Sequence, residues 1–428
     1  MPAEIDREIN GVHLYLLPNA ALHQFCIGLY IRAGSLYESS AENGLTHLFE
    51  HTVFRSIKQK YGGRLYELLS ENGIWFEGST YREYLSFTVS GLQKGVRLGT
   101  DILLSVFDAL SVDREGFNAE KRRVLSEIRE DDERHRLGWF ADCFVWNGTP
   151  MAQTISGAAA HVSRFSFPQV RDWQKRLLTK DNLFFCGTGN LTDADVAYLS
   201  NGIAGLPVGE TTELRDNTVP VPADFGRRQF ALHVIHDNYC RIAFSFDIDN
   251  ARCPLAAREL LYCVLFCNDD AALYTALSED AGLIYSYNST LEQYRNISCL
   301  KFDFEVRRED VAAALAKTFA VLRDIKNGLF DFERNLQKEL TPMITELDNA
   351  EALNESVAYY NHILGAEPLD YAKPDFGWHD GLTKEKVCAC AKAIFRPENL
   401  VLTFKGDRNY LRQRKFLPLI ELLEQEET

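Results

Sequence analysis

Two histidines and a glutamate lie within five residues, as His47, Glu50 and His51, in the order H-x-x-E-H. A helix turns by about 100° per residue, so on a helix both histidines lie one turn apart on one face, with Glu50 beside them. A catalytic zinc takes three protein ligands and leaves a fourth position for water. The pattern therefore predicts two metal ligands and a general base on one helix, and a third ligand from elsewhere.

Residues 117–134 (FNAEKRRVLSEIREDDER) offer that third ligand. Their apolar residues recur at helical spacing and predict a second helix. Glu120 and Glu127 are seven residues apart and share nearly the same face of it, so one carboxylate can bind the metal while the other supports it. Zinc peptidases use this inverted H-x-x-E-H order. The apolar residues are Val124, Leu125 and Ile128.

A five-residue pattern also arises by chance, and paired histidines can be ordinary helix residues. The neighbouring residues favour the metal interpretation, because they would surround three ionisable groups with apolar side chains. Burying such groups without partners is costly, and a metal removes that cost. The apolar neighbours are Leu45, Leu48, Phe49, Val53 and Phe54.

Four segments occur in the order and near the spacing of a known family: Asn10–Asn19 (NGVHLYLLPN), Ile31–Glu38 (IRAGSLYE), Asn43–Arg55 (NGLTHLFEHTVFR) and Arg122–Ile128 (RRVLSEI). With them the sequence resembles the insulinase/pitrilysin family of inverzincin zinc peptidases. The resemblance is to the short-chain branch, which includes bacterial processing peptidases and mitochondrial processing peptidase, and it covers nearly the whole chain.

The resemblance implies a zinc metalloendopeptidase that hydrolyses unstructured peptides in a closed chamber. One Zn²⁺ per chain would be bound by His47, His51 and Glu127. Glu50 would be the general base, and Glu120 would support the site from behind the ligands. Zinc lowers the pKa of a bound water to about 7 and polarises a carbonyl, which suits amide hydrolysis.

Length and composition agree with a large globular protein. The 428 residues exceed one ordinary core, and 46% hydrophobic content is enough for two or more domains. A formal net charge of −15 argues against nucleic acid as a partner, since phosphates need a basic surface. Without a signal pattern at the N-terminus or a long apolar stretch, we expect no membrane association and a cytoplasmic location.

An internal duplication organises the chain. Asn182–Asn190 (NLFFCGTGN) and Asn399–Asp407 (NLVLTFKGD) both read as an apolar strand followed by a glycine turn. Residues 205–228 are rich in proline, glycine and charge and predict a linker. We therefore expect an α+β fold in which two homologous α/β sandwich domains, 1–204 and 229–428, form half of a peptidase clamshell.

The duplication predicts a metal site in the first domain and none in the second. The helix segments FNAEKRR at 117 and FDFERNL at 330 are 213 residues apart, and a shift of 213 residues places apolar or thiol side chains opposite the zinc residues. Glu120 falls opposite Glu333, so this carboxylate could be partly structural. The residues opposite His47, Glu50, His51 and Glu127 are Leu260, Cys263, Val264 and Leu340.

In the family the substrate adds as a strand to a sheet edge near the zinc, held by main-chain hydrogen bonds. The corresponding strand here is 73–80. Where the family usually has Asn-Ala, this chain has Glu77 and Gly78. Glu77 either favours basic residues in the substrate or, as an exposed charge on a strand edge, prevents aggregation.

A second departure lies in Leu277–Tyr285 (LSEDAGLIY), where the family reads L-R-E-x-x-G-L-x-Y. Ser278 replaces the arginine that, with the tyrosine, helps to hold substrate in the family. A serine has no positive charge and cannot donate two parallel hydrogen bonds as an arginine does. We expect a heterodimer with a homologous subunit that supplies the Arg/Tyr pair, with a homodimer as the other possibility. Tyr285 is then a substrate-binding residue, a vestige or a core aromatic.

Two functions remain open at this point. The first is the zinc endopeptidase, with bacterial peptide maturation as a candidate role. The second is a non-catalytic peptide-binding or structural subunit of such an assembly. The complete set of His47, Glu50, His51 and Glu127 favours the first.

Overall fold

The computed structural model describes residues 4–130, 137–211, 228–234, 238–365, 368–411 and 417–424. Most of the predicted linker, at 212–227, lies outside the described residues. The strands of the described part are β1 (Ile5–Ile9), β2 (Val12–Pro18), β3 (Gln24–Arg32), β4 (Ile74–Thr80), β5 (Tyr84–Leu92), β6 (Leu183–Gly189), β7 (Arg228–Val234), β8 (Tyr239–Asp249), β9 (Tyr287–Gln293), β10 (Ile297–Arg307) and β11 (Leu400–Asp407).

The helices of the same part vary from single turns to 17 residues. None of the described helices is both long enough and apolar enough to cross a membrane. Two π-helices, Thr275–Glu279 and Val357–Leu364, and several short 3-10 helices accompany the α-helices. The α-helices are α1 (Leu45–Lys60), α2 (Leu65–Asn72), α3 (Val96–Leu104), α4 (Arg114–Glu130), α5 (Leu137–Val145), α6 (Ala159–Val162), α7 (Phe167–Leu177), α8 (Asp193–Ala204), α9 (Leu255–Phe266), α10 (Ala272–Tyr274), α11 (Val311–Lys326), α12 (Phe332–Glu346), α13 (Ala350–Ser356), α14 (Lys384–Ile394) and α15 (Arg408–Leu411).

Two compact units make up the chain. Unit 1 contains Met1–Glu133, Gly148–Asn217 and Ile344–Gly377. Unit 2 contains Arg134–Asn147, Thr218–Met343 and Trp378–Thr428.

Unit 1 is built on a six-stranded sheet in the order β1-β2-β6-β3-β5-β4. The pair β2–β6 is parallel and the other pairs are antiparallel. Side chains of β3 alternate between the two faces. Phe25, Ile27 and Leu29 enter the main core, which α1, α3, α7 and α8 complete.

Helix α13 packs against β3 and β6 of the unit 1 sheet. The Nδ2 atom of Asn354 donates to the carbonyl oxygens of Cys26 (3.3 Å) and Cys186 (2.9 Å), and its Oδ1 atom accepts from the Tyr30 hydroxyl at 2.8 Å. A Cβ at Gly28 would lie 2.7 Å from that Oδ1 atom, so glycine leaves the space for Asn354. The amide side chain thus fixes α13 to the sheet face.

Unit 2 is built on a five-stranded sheet in the order β7-β11-β8-β10-β9. One face packs against α9, α11 and α14 around Phe244, Phe302 and Phe319. Helix α5 packs against β8 and β11. Its Asp142 carboxylate, 2% exposed, accepts from Lys301 Nζ of β10 at 2.6 Å.

Each sheet is therefore covered by a helix from the other half of the sequence. Helix α5 belongs to unit 2 and α13 to unit 1, and α13 begins 213 residues after α5, which is the repeat distance of the duplication. The compact units therefore differ from the predicted contiguous domains 1–204 and 229–428. Each sheet has two apolar faces; helices from the same half of the sequence cover one face, and a helix from the other half covers the second. The ranges 1–204 and 229–428 stay a prediction of where the two duplicated halves of the sequence begin and end. The α+β class with two sandwich units is confirmed.

Candidate metal centre

Helix α1 carries the H-x-x-E-H residues, as predicted. Leu48, Phe49 and Val53 of this helix are buried in the unit 1 core. Because these apolar residues fix the rotation of α1 about its axis, His47 and His51 face away from the core together. Their imidazole side chains are 17% and 12% exposed.

Helix α4 packs against α1 and brings the predicted carboxylates to the same place. Val124 and Ile128 are buried and orient this helix. Glu127 Oε2 lies 3.8 Å from His47 Nε2 and 3.3 Å from His51 Nε2. One potential ligand atom from each of these three residues lies within 4.8 Å of the others, which makes them a group able to hold a metal ion.

The protonation of the two histidines is set by their surroundings. Burial, with a contribution from His51, lowers the pKa of His47 to about 3. Burial alone would lower the pKa of His51 too, but the carboxylates of Glu120, Glu127 and Glu50 together raise it. A metal binds the neutral imidazole, which is the form that His47 adopts at neutral pH.

The donor set fits zinc. Two imidazole nitrogens and one carboxylate oxygen are the ligands of a catalytic zinc site, and the third ligand comes from a separate helix as such sites require. Only His47, His51 and Glu127 form such a group among the residues that the structure describes.

Glu50 lies on α1 with the two candidate histidine ligands and is 8% exposed. Its Oε2 atom accepts a hydrogen bond from the Thr80 hydroxyl at 2.5 Å. Burial raises the pKa of Glu50, and the Thr80 hydrogen bond and His51 offset only part of this rise. A buried carboxylate with a raised pKa is well suited to accept and return a proton.

Strand β4 approaches α1 closely at Gly78. A Cβ at this position would lie 2.6 Å from Phe54 Cε2 and 3.1 Å from Glu50 Cγ. Strand β4 is the last strand of the unit 1 sheet, and Glu77 on it is exposed. The predicted substrate strand therefore lies at the sheet edge, next to the candidate base.

Glu120 is placed behind His51, outside the group of ligands. It is 3% exposed, and its Oε2 atom lies 3.7 Å from His51 Nδ1. Arg55 and Arg123 lie 3.4 and 3.3 Å from its carboxylate. Burial alone would raise the pKa of Glu120, but His51 and the two arginines hold it below its usual value. An ionised Glu120 can orient the imidazole of His51.

Tyr285 belongs to unit 2, in the segment before β9, and is 93% exposed. That exposure excludes the interpretation as a core aromatic. Ser278 lies in the short π-helix Thr275–Glu279 of the same unit. His47, His51 and Glu127, the group able to hold a metal ion among the described residues, all belong to unit 1.

Several residues around the site have no role among the sequence predictions. Thr80 was identified only as the end of the predicted substrate strand, because the approach of β4 to α1 depends on tertiary packing. Arg55 and Arg123 lie within the motif segments, but no local pattern shows that both face Glu120.

Residues 16–155 match the model of the family described as Insulinase (Peptidase family M16), and residues 164–339 match the one described as Peptidase M16 inactive domain. The chain belongs to the insulinase (M16) family. The predicted resemblance is therefore confirmed, and the second M16 match begins in the first predicted domain and extends into the second, where no metal site was predicted.

Three curated relatives show how far the similarity of this M16 protein extends. It is 24% identical over 185 residues to cytochrome b-c1 complex subunit 1 of Bos taurus, covering 42% of this chain and 38% of the relative. It is 26% identical over 211 residues to mitochondrial-processing peptidase subunit beta of Blastocladiella emersonii, with coverage of 48% and 45%. It is 25% identical over 349 residues to the uncharacterized zinc protease YmxG of Bacillus subtilis, with coverage of 77% and 80%. The matches to the first two span less than half of those proteins.

Solved structures share the fold at low sequence identity. A peptidase M16 inactive domain from Pseudomonas fluorescens superposes with a TM-score of 0.81 at 15% identity, covering 94% of this chain and 98% of that one. The periplasmic protease PqqL of Escherichia coli superposes with a TM-score of 0.78 at 16% identity, covering all of this chain and 51% of that one. At these identities the likeness establishes the fold alone.

Proposed function

We propose that this M16 protein is a zinc-dependent endopeptidase that hydrolyses unstructured peptides. The observation that carries the proposal is the convergence of His47, His51 and Glu127 from two helices, with Glu50 buried beside them. The family includes zinc peptidases and relatives of other function, so this geometry supports the catalytic assignment in this chain.

The three ligand residues would hold one Zn²⁺, which when bound supplies a Lewis acid and lowers the pKa of a water. Glu50 would accept the proton of the attacking water and then deliver it to the nitrogen of the leaving amine. The Thr80 hydroxyl would keep the Glu50 carboxylate in one orientation during both transfers. Glu120 would hold the His51 imidazole in place.

The peptide substrate would add to the edge of β4, where backbone groups are available for main-chain hydrogen bonds. Gly78 permits this strand to lie against Glu50, so a bound peptide would pass close to the base. The exposed carboxylate of Glu77 would favour basic side chains in the peptide. Such binding depends on the backbone of the peptide more than on its side chains, so it suits unstructured peptides of varied sequence.

A second chain would complete the chamber. Tyr285 is available to a partner because it is 93% exposed. Since Ser278 cannot replace an arginine, we propose a heterodimer with a homologous subunit that supplies the Arg/Tyr pair, with a homodimer as the alternative. The single-chain PqqL is about twice as long as the part that this chain covers, which agrees with a two-part assembly. A cytoplasmic location and a role in bacterial peptide maturation belong to the same proposal.

The second candidate function is a non-catalytic subunit that binds peptides or has a structural role. The similarity to cytochrome b-c1 complex subunit 1 favours it. The two candidates predict different outcomes for Glu50→Gln, because this change removes the base and leaves the three metal ligands in place.

The deciding experiment incubates the zinc-loaded chain, alone and with candidate partner subunits, with a pool of unstructured peptides and follows cleavage by mass spectrometry. Cleavage that disappears in Glu50→Gln, with its zinc content unchanged, supports the endopeptidase. Cleavage at the same rate in that variant would refute it. Zinc binding without cleavage under every partner condition would favour the non-catalytic subunit.

A further inference from the structure

The start of helix α1 has no capping side chain of its own. Gly44 occupies the N-cap position with a φ of 95°. A Cβ there would lie 2.8 Å from the Ser156 carbonyl oxygen and 2.9 Å from Gly157 Cα, so no serine, threonine or aspartate fits. The first backbone N–H groups of a helix have no partner within it. Those of α1 therefore need an acceptor from another part of the chain.

The Glu38 side chain, which is completely buried, is that acceptor for Gly44 and Thr46, whereas the Glu42 carbonyl oxygen accepts from the backbone N–H of Leu45 at 2.8 Å. Its Oε2 atom accepts from the backbone N–H of Gly44 at 2.8 Å, and its Oε1 atom accepts from the backbone N–H of Thr46 at 2.7 Å. Asn43 Nδ2 donates to Oε2 at 3.2 Å and to the Thr154 carbonyl oxygen at 2.8 Å. Both carboxylate oxygens are therefore used, and the first turn of α1 itself contains no acidic residue.

Thr46, directly before His47, is held on its side chain as well. Its Oγ1 atom accepts from the Gly34 backbone N–H at 3.3 Å and from Trp173 Nε1 at 3.2 Å. Thr46 and Trp173 are both buried. The residue that precedes the first metal ligand is thus fixed through its backbone by Glu38 and through its hydroxyl by two further groups.

We infer that Glu38 is a positioning residue for the metal centre. By capping α1 at Gly44 and Thr46, it sets the axial position and rotation of the helix, so that His47 and His51 both face Glu127. Metal sites tolerate deviations of only about 0.2 Å in ligand distance, so a small shift of the helix start weakens the site. The inference rests on the proposed zinc function and assigns Glu38 no contact with metal or substrate.

Glu38→Gln separates positioning from general folding. The variant keeps the shape of the side chain, but only one of its two terminal atoms can accept a hydrogen bond. Its NH₂ group, which is a donor, would then face the backbone N–H of Gly44 or of Thr46 and leave that N–H without an acceptor. The variant also lacks the negative charge that stabilises a helix N-terminus. We expect the zinc dissociation constant to rise about tenfold, in the range found for residues that support metal ligands. We expect kcat to fall by a larger factor than KM changes, because β4 contacts α1 further along the helix, at Glu50 and Phe54.

The experiment measures zinc affinity by competition with a fluorescent chelator, using the full chain. Two controls accompany Glu38→Gln. Glu42→Gln changes a carboxylate of the same loop that bonds to Ser39 and to Arg176 instead. Val196→Ala, in the unit 1 core on α8, shows the effect that a general loss of stability has on zinc binding. Both controls should bind zinc within about twofold of the unchanged chain, as surface and distant core changes leave a site intact.

Hydrogen–deuterium exchange of the metal-free protein gives a second measurement. The amides of Gly44 and Thr46 should exchange faster in Glu38→Gln than in either control. Faster exchange together with zinc affinity and kcat equal to those of the Val196→Ala control would overturn the inference, since Glu38 would then only stabilise the fold.

If Glu38→Gln does not fold, Asn43→Ala replaces it, because this change removes one donor to Glu38 and leaves the carboxylate. Zinc binding should then weaken by a smaller factor, about threefold, and unchanged binding would refute the inference. Failure of the proposed function is recognised separately. In that case the unchanged chain binds no stoichiometric zinc, or Glu50→Gln retains activity, whatever the result for Glu38.

Discussion

The Thr80 hydroxyl donates to Glu50 Oε2 at 2.5 Å, so the end of the edge strand β4 and the candidate base on α1 are directly joined. We expect Thr80→Val to lower kcat about tenfold, because the carboxylate then samples orientations that cannot reach the water. Zinc content should not change. Peptide hydrolysis and metal analysis check this, with Ser79→Ala on the same strand as the control. An unchanged kcat would show that the Thr80 hydrogen bond does not orient the base.

Gly78 is the position where β4 touches α1, and its replacement tests that contact. In Gly78→Ala the new Cβ would lie 2.6 Å from Phe54 Cε2. Overpacking of this kind costs about 1–3 kcal/mol of stability, and the shift of β4 should lower kcat/KM. Phe54→Leu should restore much of the loss in the double variant, because it removes the clash. Additive losses in a double-mutant cycle would show that the two residues are not coupled.

Glu127 and Glu120 lie on one face of α4 but have different surroundings. Glu127 lies 3.3 Å from His51 Nε2, whereas Glu120 lies behind His51, near Arg55. Glu127→Gln should weaken zinc binding by more than about 100-fold as a lost ligand, and Glu120→Gln by about 10-fold as a lost supporting group. Equilibrium dialysis measures both. A larger effect from Glu120→Gln would reverse the assignment.

Local spacing was sufficient to predict which candidate residues of the site share a helix face. His47, Glu50 and His51 share a helix, so the 3.6-residue period determines which of them face the same way. The same holds for Glu120 and Glu127 on α4, and the structure brings the predicted ligands of both helices together. The edge position of β4 likewise follows the prediction for residues 73–80.

Long-range features could not be predicted in the same way. The apolar residues of α5 and of α13 predict that each helix packs against a sheet, but they do not predict which sheet. Each of the two helices packs on the sheet formed mainly by the other half of the sequence. Glu38 acts on backbone N–H groups, which have no signature in the sequence. The hydrogen bond between Thr80 and Glu50 depends on the register of β4 against α1, which only the folded chain sets.

Asp247 in β8 gives unit 2 a predictable response to pH. It is buried, and its Oδ1 atom accepts from Cys299 Sγ at 2.9 Å. Burial raises the pKa of Asp247 to about 7, Asp142 and Glu292 add to the rise, and Cys299 and Lys301 oppose it. The usual pKa of an aspartate in an unfolded chain is about 3.9. Between about pH 4 and pH 7, Asp247 is therefore protonated in the folded state and ionised in the unfolded state. The stability from this group is complete below about pH 4 and is lost as the pH rises through about 7.

Asp247→Asn should remove this dependence, because the amide has the shape of the protonated acid and no charge. Between pH 5 and pH 8, the stability of the variant relative to the unchanged chain should rise by at least about 1 kcal/mol. Hydrogen–deuterium exchange of β8 and β10 in urea measures this local stability. Asp303→Asn, which removes a carboxylate that pairs with Arg241, should not gain stability at pH 8. A constant difference between Asp247→Asn and the unchanged chain at both pH values would mean that Asp247 is ionised in the folded protein throughout this range.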